Sequence, residues 1–206
     1  MFTYPETLPH ETLLIKNLMV DDWDFLHVRK PDYDINEMIN FLELIPEFHH
    51  KIVLHSHYEL IKKFDLAGIN LNRKALANIC FEDELTSSCD IRELSVDKGR
   101  LSVLGSRPDL ISYSAHSFSE VLNLPLDTDY VFLSPIFDSF SKENYQSAFE
   151  DHDILKSFLK DVDDKIIALG GINEDRVKLC KNLGFDGYAV LGDIWNRYFT
   201  FVETIQ

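Results

Sequence analysis

Short apolar runs alternate along this chain with segments of helical period. The runs number eight, and several are apolar on both faces, as parallel strands covered by helices should be. They are MFTY (1–4), WDFLHV (23–28), KIVLHS (51–56), AGINLN (67–72), DLISYS (109–114), YVFLSP (130–135), KIIALG (165–170) and GYAVLG (187–192). Eight such units predict a closed parallel (β/α)8 barrel, the TIM barrel. An open doubly wound sheet would be expected to carry fewer strands in this length, and its GxGxxG turn is missing after the first run.

Capping residues mark the starts of predicted helices between these runs. Asp34 with Glu37 has the spacing of a capping box, in which each residue satisfies a backbone N–H group of the other. Ser117 with Glu120 repeats the pattern, and Asn173 can cap a later helix. These local signals support the alternation of strands and helices.

The chain is expected to fold as a single barrel domain over residues 1–206. Its length and its hydrophobic fraction of 45% suffice for one sizeable core. The segment 73–108 is the least regular part of the pattern, because it is longer than one connection between a strand and a helix requires. We expect a helix there, followed by an irregular, insertion-like excursion.

The charge and the apolar content exclude several classes of partner. A formal net charge of −15 would repel a polyanion, so nucleic acid is not expected as a partner. No apolar run approaches the ~20 residues of a membrane helix, and the first residues lack a signal-peptide pattern, so we expect a cytoplasmic protein. The three cysteines match neither a disulfide framework nor a CxxC metal motif.

Polar side chains follow four successive predicted strands, at the ends that line the mouth of a barrel. A single histidine there is more often structural, but a cluster favours a binding or catalytic site. His55 and His57 are spaced to share one face of a strand. A metal site is the competing hypothesis, which the lack of an acidic or thiol ligand at these strand ends disfavours. The clustered residues are His27, Arg29, His55, His57, Asn70, Asn72 and His116.

Glycine loops after the last two predicted strands indicate an anion site. Gly170 and Gly171 follow the seventh strand, and Leu191 with Gly192 ends the eighth, where a helix can begin. In barrels, backbone N–H groups and a helix N-terminus at these loops bind phosphate. The loop after the sixth strand adds two hydroxyl groups and a cation, from Ser139, Ser141 and Lys142.

Together these segments resemble thiamine-phosphate synthase and its close relative, the TenI-type thiazole tautomerase. HVRKP is similar to the family's QLREK, YSAHSFSEV to GVSAHSLEEA, and DYVFLSPIFDSFSK to DYVGLGPIFPTPTK. IIALGGIN and DGYAVLGDI are similar to the closing AIGGI and GVAVVSAI. The resemblance covers nearly the whole chain apart from 73–108. It implies a (β/α)8 barrel that binds a thiazole phosphate against the glycine loops, with a pyrimidine pyrophosphate beside it in the synthase.

The resemblance also implies roles for individual residues. Its motifs match Arg29, Ser114, Ser139, Ser141 and Lys142 as substrate-binding residues, and Gly171, Leu191 and Gly192 as phosphate-binding residues. From their places at the strand ends, and not from the motifs, we also expect substrate binding from His27 and Asn70 and phosphate binding from Gly170. His116 matches the histidine that transfers a proton in the tautomerase.

This chain departs from the family where the synthase binds magnesium. His55-Ser56 stands in place of an Asn-Asp pair, and residues 74–75 in place of a second aspartate. The motif glutamine is His27, and the motif lysine is Pro31, with Lys30 one place earlier. Mg²⁺ prefers oxygen ligands to imidazoles. We therefore expect no metal and no cofactor, with Mg²⁺ required only if the protein is a synthase.

The favoured hypothesis from the sequence is a metal-free, TenI-like tautomerase of thiamine biosynthesis. His116 would transfer the proton, and His55 and His57 are further catalytic candidates. The first alternative is thiamine-phosphate synthase, with magnesium held by the substrate pyrophosphate or by an acid such as Glu82. The second is a non-catalytic binder of thiazole or thiamine phosphate. In each case the partner is a small-molecule thiazole phosphate, and a homodimer remains an option.

Overall fold

A parallel sheet of seven strands forms the centre of the molecule. The computed structural model describes residues 1–20, 23–77, 79–80, 102–103, 108–138 and 147–205. All neighbouring strands of the sheet run parallel. Their order is β1 (Leu26–Val28), β2 (Ile52–Leu54), β3 (Gly68–Leu71), β6 (Leu110–Ala115), β7 (Tyr130–Leu133), β8 (Ile166–Ala168) and β9 (Gly187–Tyr188). The α/β class predicted from the alternating pattern is confirmed.

Helices connect the strands in the described part of the chain. They are α1 (Glu11–Leu18), α2 (Ile35–Glu43), α3 (Leu60–Phe64), α4 (Arg73–Leu76), α5 (Phe118–Leu122), α6 (His152–Asp161), α7 (Glu174–Leu183) and α8 (Gly192–Ile205), with a 3-10 helix at Pro46–Lys51. None of them combines the length and the apolar character that a membrane crossing needs. Within 73–108, α4 agrees with the expected helix, and β4 (Ile79–Cys80) pairs with β5 (Ser102–Val103) as a separate parallel pair. Most of that segment lies outside the described residues.

The predicted caps are present at the helix starts. The Asp34 carboxylate accepts the N–H groups of Asn36 and Glu37, and the Glu37 carboxylate accepts the N–H of Asp34 at 2.8 Å, which completes the capping box. Asn173 caps α7. At α5 only one of the two hydrogen bonds of a capping box forms. The Ser117 hydroxyl caps the helix, whereas the Glu120 carboxylate accepts the N–H of the preceding residue, His116, at 2.7 Å.

The first residues of the chain lie between the two edges of the sheet. The N–H of Phe2 donates to the carbonyl of Val190 at 3.1 Å, and the N–H of His27 donates to the carbonyl of Met1 at 2.8 Å. Phe2 and His27 form a parallel bridge, which is what the structure has of the first predicted strand. The segment therefore contacts both β1 and Val190, which lies two residues after the end of β9.

A chain of polar side chains crosses the interior of the curled sheet. The Leu71 carbonyl, which can only accept, fixes the orientation of the Asn70 side-chain amide. The amide atom 3.3 Å from that carbonyl must be the nitrogen and not the oxygen. It donates to His55 Nδ1 at 3.2 Å. A neutral His55 then carries its proton on Nε2 and donates to His27 Nδ1 at 3.0 Å. His27 in turn donates from Nε2 to the Tyr130 hydroxyl at 2.9 Å.

Burial keeps both imidazoles of this chain neutral. His27 is 3% exposed, and its ring stacks on Phe2 with 4.8 Å between ring centroids. Loss of solvation, with the neighbouring His55 as a smaller cause, lowers the pKa of His27 well below 6.5. Burial and the positive charge of Arg29 lower the pKa of His55 to about 3. Both residues therefore act as neutral hydrogen-bonding groups at physiological pH.

These two histidines should make the protein less stable in mild acid. Between pH 6.5 and the lowered pKa, each imidazole binds a proton in the unfolded chain but not in the folded one, so the free energy of unfolding falls as pH falls. Each contributes up to about 1.4 kcal/mol per pH unit. Urea unfolding measured from about pH 7.5 to about pH 5 gives the slope of the unfolding free energy against pH. In His55→Asn this slope should be smaller by up to about 1.4 kcal/mol per pH unit.

His50→Asn is the matched control, because His50 is an exposed imidazole of the 3-10 helix. It should leave the pH dependence of wild type unchanged. If His55→Asn also has the slope of wild type, His55 is already protonated in the folded protein over this range.

Candidate active site

A cavity of about 290 Å³ opens at the C-terminal ends of the strands. It brings together the polar strand ends of the first half of the chain and the glycine loops of the second half. Of the residues predicted for the site, it is lined by Arg29, His55, Asn70, Ser114, His116, Gly170, Gly171, Leu191 and Gly192. Asn72, from the predicted polar cluster, also lines it.

Two larger cavities in the described part of the chain lie elsewhere. One, of about 590 Å³, is an outer groove between α1, α7 and α8, with apolar walls that include Leu14, Val177 and Ile194. The other, of about 360 Å³, is lined by Tyr130, Phe132 and His27. His27 is the only one of the predicted site residues that lines either of them. Convergent polar groups, and not volume, therefore identify the candidate site.

The imidazole of His116 lines this cavity, and within the described part of the chain only one of its ring nitrogens has a hydrogen-bond partner. Its Nδ1 lies 3.0 Å from the carbonyl oxygen of Ser134, which can only accept, so Nδ1 carries the proton. In the neutral ring Nε2 then has the lone pair. Because the side chain is exposed and lines the cavity, Nε2 can accept a proton from a ligand and return it.

Asn70 and Ser114 form the neighbouring wall. The Asn70 amide donates to the Ser114 hydroxyl at 2.9 Å, and its carbonyl accepts from Ser112 at 2.9 Å. His55 lines the same wall, but Asn70 and His27 occupy both of its ring nitrogens. His55 therefore lacks a free nitrogen with which to move a proton of a ligand, and its catalytic role stays a prediction without support from this geometry.

Arg29 and Lys30 follow the last residue of β1 and have different surroundings. Arg29 is exposed and lines the cavity. Lys30 is 1% exposed, forms an ion pair with Glu11, and donates to the carbonyl of Glu6 at 2.7 Å. Burial lowers the pKa of Lys30 and raises that of Glu11, although each partner counteracts the effect. Lys30 therefore cannot substitute for the motif lysine in the cavity.

The glycine loops have the backbone shape that the anion hypothesis requires. Gly170 and Gly171 have φ values of 94° and 63°, a region that favours glycine. Gly192 is the first residue of the 14-residue helix α8, whose first N–H groups lack partners within the helix. An anion here would meet backbone donors and the positive end of α8.

Several lining residues were missed by the sequence analysis: Phe2, Ser134, Pro135, Leu169, Ile172, Ala189 and Asp193. Most are apolar or carry no distinctive chemistry, so no motif indicates them. Asp193 is a carboxylate beside the glycine loops, and its charge is offset by Arg197, 3.0 Å away. A polar residue directly after Gly192 was the available signal.

Other predicted site residues lie away from the cavity. His27 is buried beneath it, behind His55. The expectation that His55 and His57 share a face is wrong, because β2 ends at Leu54 and His57 has a φ of 53°. Its Nε2 lies 2.8 Å from the carbonyl of Tyr33 instead. The predicted residues Ser139, Ser141, Lys142 and Glu82 lie outside the described residues.

The side chains at the ends of β2 and β3 do not fit a magnesium site. His55 uses both nitrogens within the protein, and the Asn72 side-chain oxygen caps α4. Ser56 offers one neutral hydroxyl, which is buried and has no hydrogen-bond partner in the structure. Mg²⁺ prefers charged oxygen ligands, and the described residues at these strand ends supply no carboxylate.

The chain is similar to known proteins over most of its length. A family model described as thiamine monophosphate synthase matches residues 96–194. A solved structure of thiamine phosphate pyrophosphorylase from Bacteroides thetaiotaomicron is 32% identical, covers 95% of this chain and 83% of its own, and superimposes with a TM-score of 0.68. The thiamine phosphate pyrophosphorylase structure from Pyrococcus furiosus is 17% identical, covers 87% of this chain and 78% of its own, and has a TM-score of 0.58. This likeness supports the fold alone.

A curated relative, thiamine-phosphate synthase of Clostridioides difficile, is 29% identical over 140 residues. The matched stretch is 66% of this chain and 62% of that relative. The match to the Bacteroides thetaiotaomicron structure covers a larger share of both chains. The chain therefore belongs to the thiamine monophosphate synthase family, which the resemblance of its motifs predicted.

Proposed function

We propose that the protein is a thiamine-phosphate synthase on a closed (β/α)8 barrel, joining a pyrimidine pyrophosphate to a thiazole phosphate. The observation that carries this proposal is the 32% identity to a thiamine phosphate pyrophosphorylase across 95% of the chain. This reverses the preference for the tautomerase that the sequence suggested. The curated relative at 29% identity also carries the name thiamine-phosphate synthase.

The cavity supports a reaction with two phosphorylated substrates. The glycine loops after β8 and β9 can bind one anion, and Arg29 after β1 can bind a second. A tautomerase acts on one phosphate ester and needs one such position. The hydrogen bonds of residues 1–3 to both sheet edges support the closed barrel, because the segment then serves as the eighth strand.

The tautomerase is retained as a second candidate because of His116. Its ring lines the cavity and is oriented by the Ser134 carbonyl, and its Nε2 has no hydrogen-bond partner among the described residues. The poor fit of β2 and β3 to Mg²⁺ also favours chemistry without a metal.

An assay of both reactions distinguishes the candidates. Purified protein given pyrimidine pyrophosphate, thiazole phosphate and Mg²⁺ should form thiamine phosphate at about one turnover per second or faster. Omission of either organic substrate is the control and should abolish product. Turnover of the unaromatised thiazole tautomer alone, with no product from the substrate pair, contradicts the synthase proposal and favours the tautomerase.

His116→Asn tests the second candidate separately. Asparagine keeps a hydrogen-bonding side chain but removes the titrating group, so tautomerase kcat should fall by at least about 100-fold with little change in KM. In the synthase assay the same variant should lose less than about tenfold, because proton transfer by this residue is not part of that proposal.

The exposed imidazole of His50 again provides the control, since His50→Asn should leave both activities unchanged. Full tautomerase activity in His116→Asn rules out His116 as the residue that transfers the proton.

A further inference from the structure

We infer that Arg176 is a positioning residue. It fixes the conformation of the proposed anion-binding loop at Gly170 and Gly171 through hydrogen bonds on the side away from the cavity. This inference rests on the proposed function, because it concerns the same glycine loop. The sequence analysis assigned Arg176 no role. It lies in the first turns of α7, and among the described residues it does not line the cavity.

The loops after β7 and β8 approach each other closely at Gly171. A Cβ on this residue would lie 2.4 Å from the carbonyl oxygen of Asp138 and 2.7 Å from that of Phe137, so no other side chain fits without movement. Two backbone hydrogen bonds join the loops, from Ile136 N–H to the Leu169 carbonyl at 3.0 Å and from Phe137 N–H to the Gly170 carbonyl at 3.2 Å.

Arg176 supplies the charge that makes this approach favourable. Its Nη1 donates to the carbonyl oxygens of Gly171 at 2.7 Å and of Asp138 at 3.2 Å. Two carbonyl groups directed at one point repel each other through their partial negative charges, and a shared guanidinium offsets that repulsion. The guanidinium also lies 5.0 Å from the centre of the Phe137 ring, a cation–π distance.

The consequence for binding is geometric. With the Gly171 carbonyl held toward α7, the peptide plane is fixed, and the neighbouring backbone N–H groups of the loop keep one orientation toward the cavity. Without Arg176 the loop would sample other orientations, and a phosphate would have to order it on binding. At metal sites, loss of a residue that orients a metal ligand lowers metal affinity or activity about 10- to 100-fold. We expect loss of Arg176 to lower phosphate affinity by a similar factor.

The first test measures the loop itself and needs no ligand. In Arg176→Ala, hydrogen exchange at the amides of Ile136 and Phe137 should accelerate at least about tenfold, because these amides report the contact between the loops. Arg176→Lys should restore part of the protection, since an ammonium can reach one carbonyl but cannot stack as a planar group. Lys178→Ala removes an exposed charge from the same helix and should change nothing. Unchanged exchange in Arg176→Ala overturns the inference.

The second test measures affinity for thiazole phosphate by titration calorimetry. Arg176→Ala should weaken binding at least about tenfold, and in the synthase assay it should raise KM for that substrate more than it lowers kcat. Gly192→Asp introduces bulk and a negative charge at the start of α8 and should abolish binding whether or not Arg176 matters.

These variants separate the two hypotheses. If Gly192→Asp loses affinity while Arg176→Ala binds as wild type does, the anion site stands and the positioning role is wrong. If wild type has no affinity for thiazole phosphate, the proposed function fails, and the effect of Arg176 on phosphate affinity fails with it. The exchange data then still decide whether Arg176 joins the loops.

Discussion

Polar side chains that are buried inside a curled sheet need hydrogen-bond partners within the protein, because burial removes the partners that water would supply. In this protein the chain from Asn70 through His55 and His27 to Tyr130 meets that requirement. Each imidazole in this chain accepts a hydrogen bond on Nδ1 and donates one from Nε2. The cavity wall depends on this agreement, because Asn70 can present its amide to Ser114 only while its remaining hydrogen-bonding atoms are satisfied.

The same chain of polar side chains lies beside the strand end at which this sequence departs from the family motif. The resemblance sets Ser56 against the magnesium-binding aspartate of the synthase, and the residue before it, His55, is an imidazole that uses both ring nitrogens within the protein. Neutral histidines at this position cost less to bury than carboxylates without a metal would. If the protein is a synthase, the charge on its pyrophosphate must be balanced by groups other than the side chains of β2 and β3, and Arg29 is the described cation best placed to contribute.

The opposite side of the cavity is built from backbone, with few charged side chains. Gly170, Gly171 and the start of α8 offer N–H groups whose directions depend on the shape of the loop. A net charge of −15 makes this arrangement useful, because a phosphate approaching the protein meets general repulsion and can be bound only by well-directed local donors. Backbone donors keep one direction only if the loop keeps one conformation, which is the role proposed for Arg176.

The sequence by itself determined the features that depend on neighbouring residues. Alternating apolar runs gave the α/β class, Asp34 and Asn173 gave helix starts, and adjacent glycines gave the loop after the seventh predicted strand, because each is set by local backbone geometry and hydrogen bonding. The polar strand ends also indicated the end of the sheet at which the cavity opens, and the motifs indicated the family.

Only the tertiary structure decided where each side chain goes beyond the last residue of a strand. His57 left the face it was expected to share with His55, because the strand period ends where the strand ends. Lys30 became buried against Glu11, and His27 and His55 used their nitrogens on each other. Arg176 acquired its partners from residues 5 and 38 positions away. These outcomes depend on which elements pack together, and a single sequence does not encode the distances between groups that only the folded chain brings into contact.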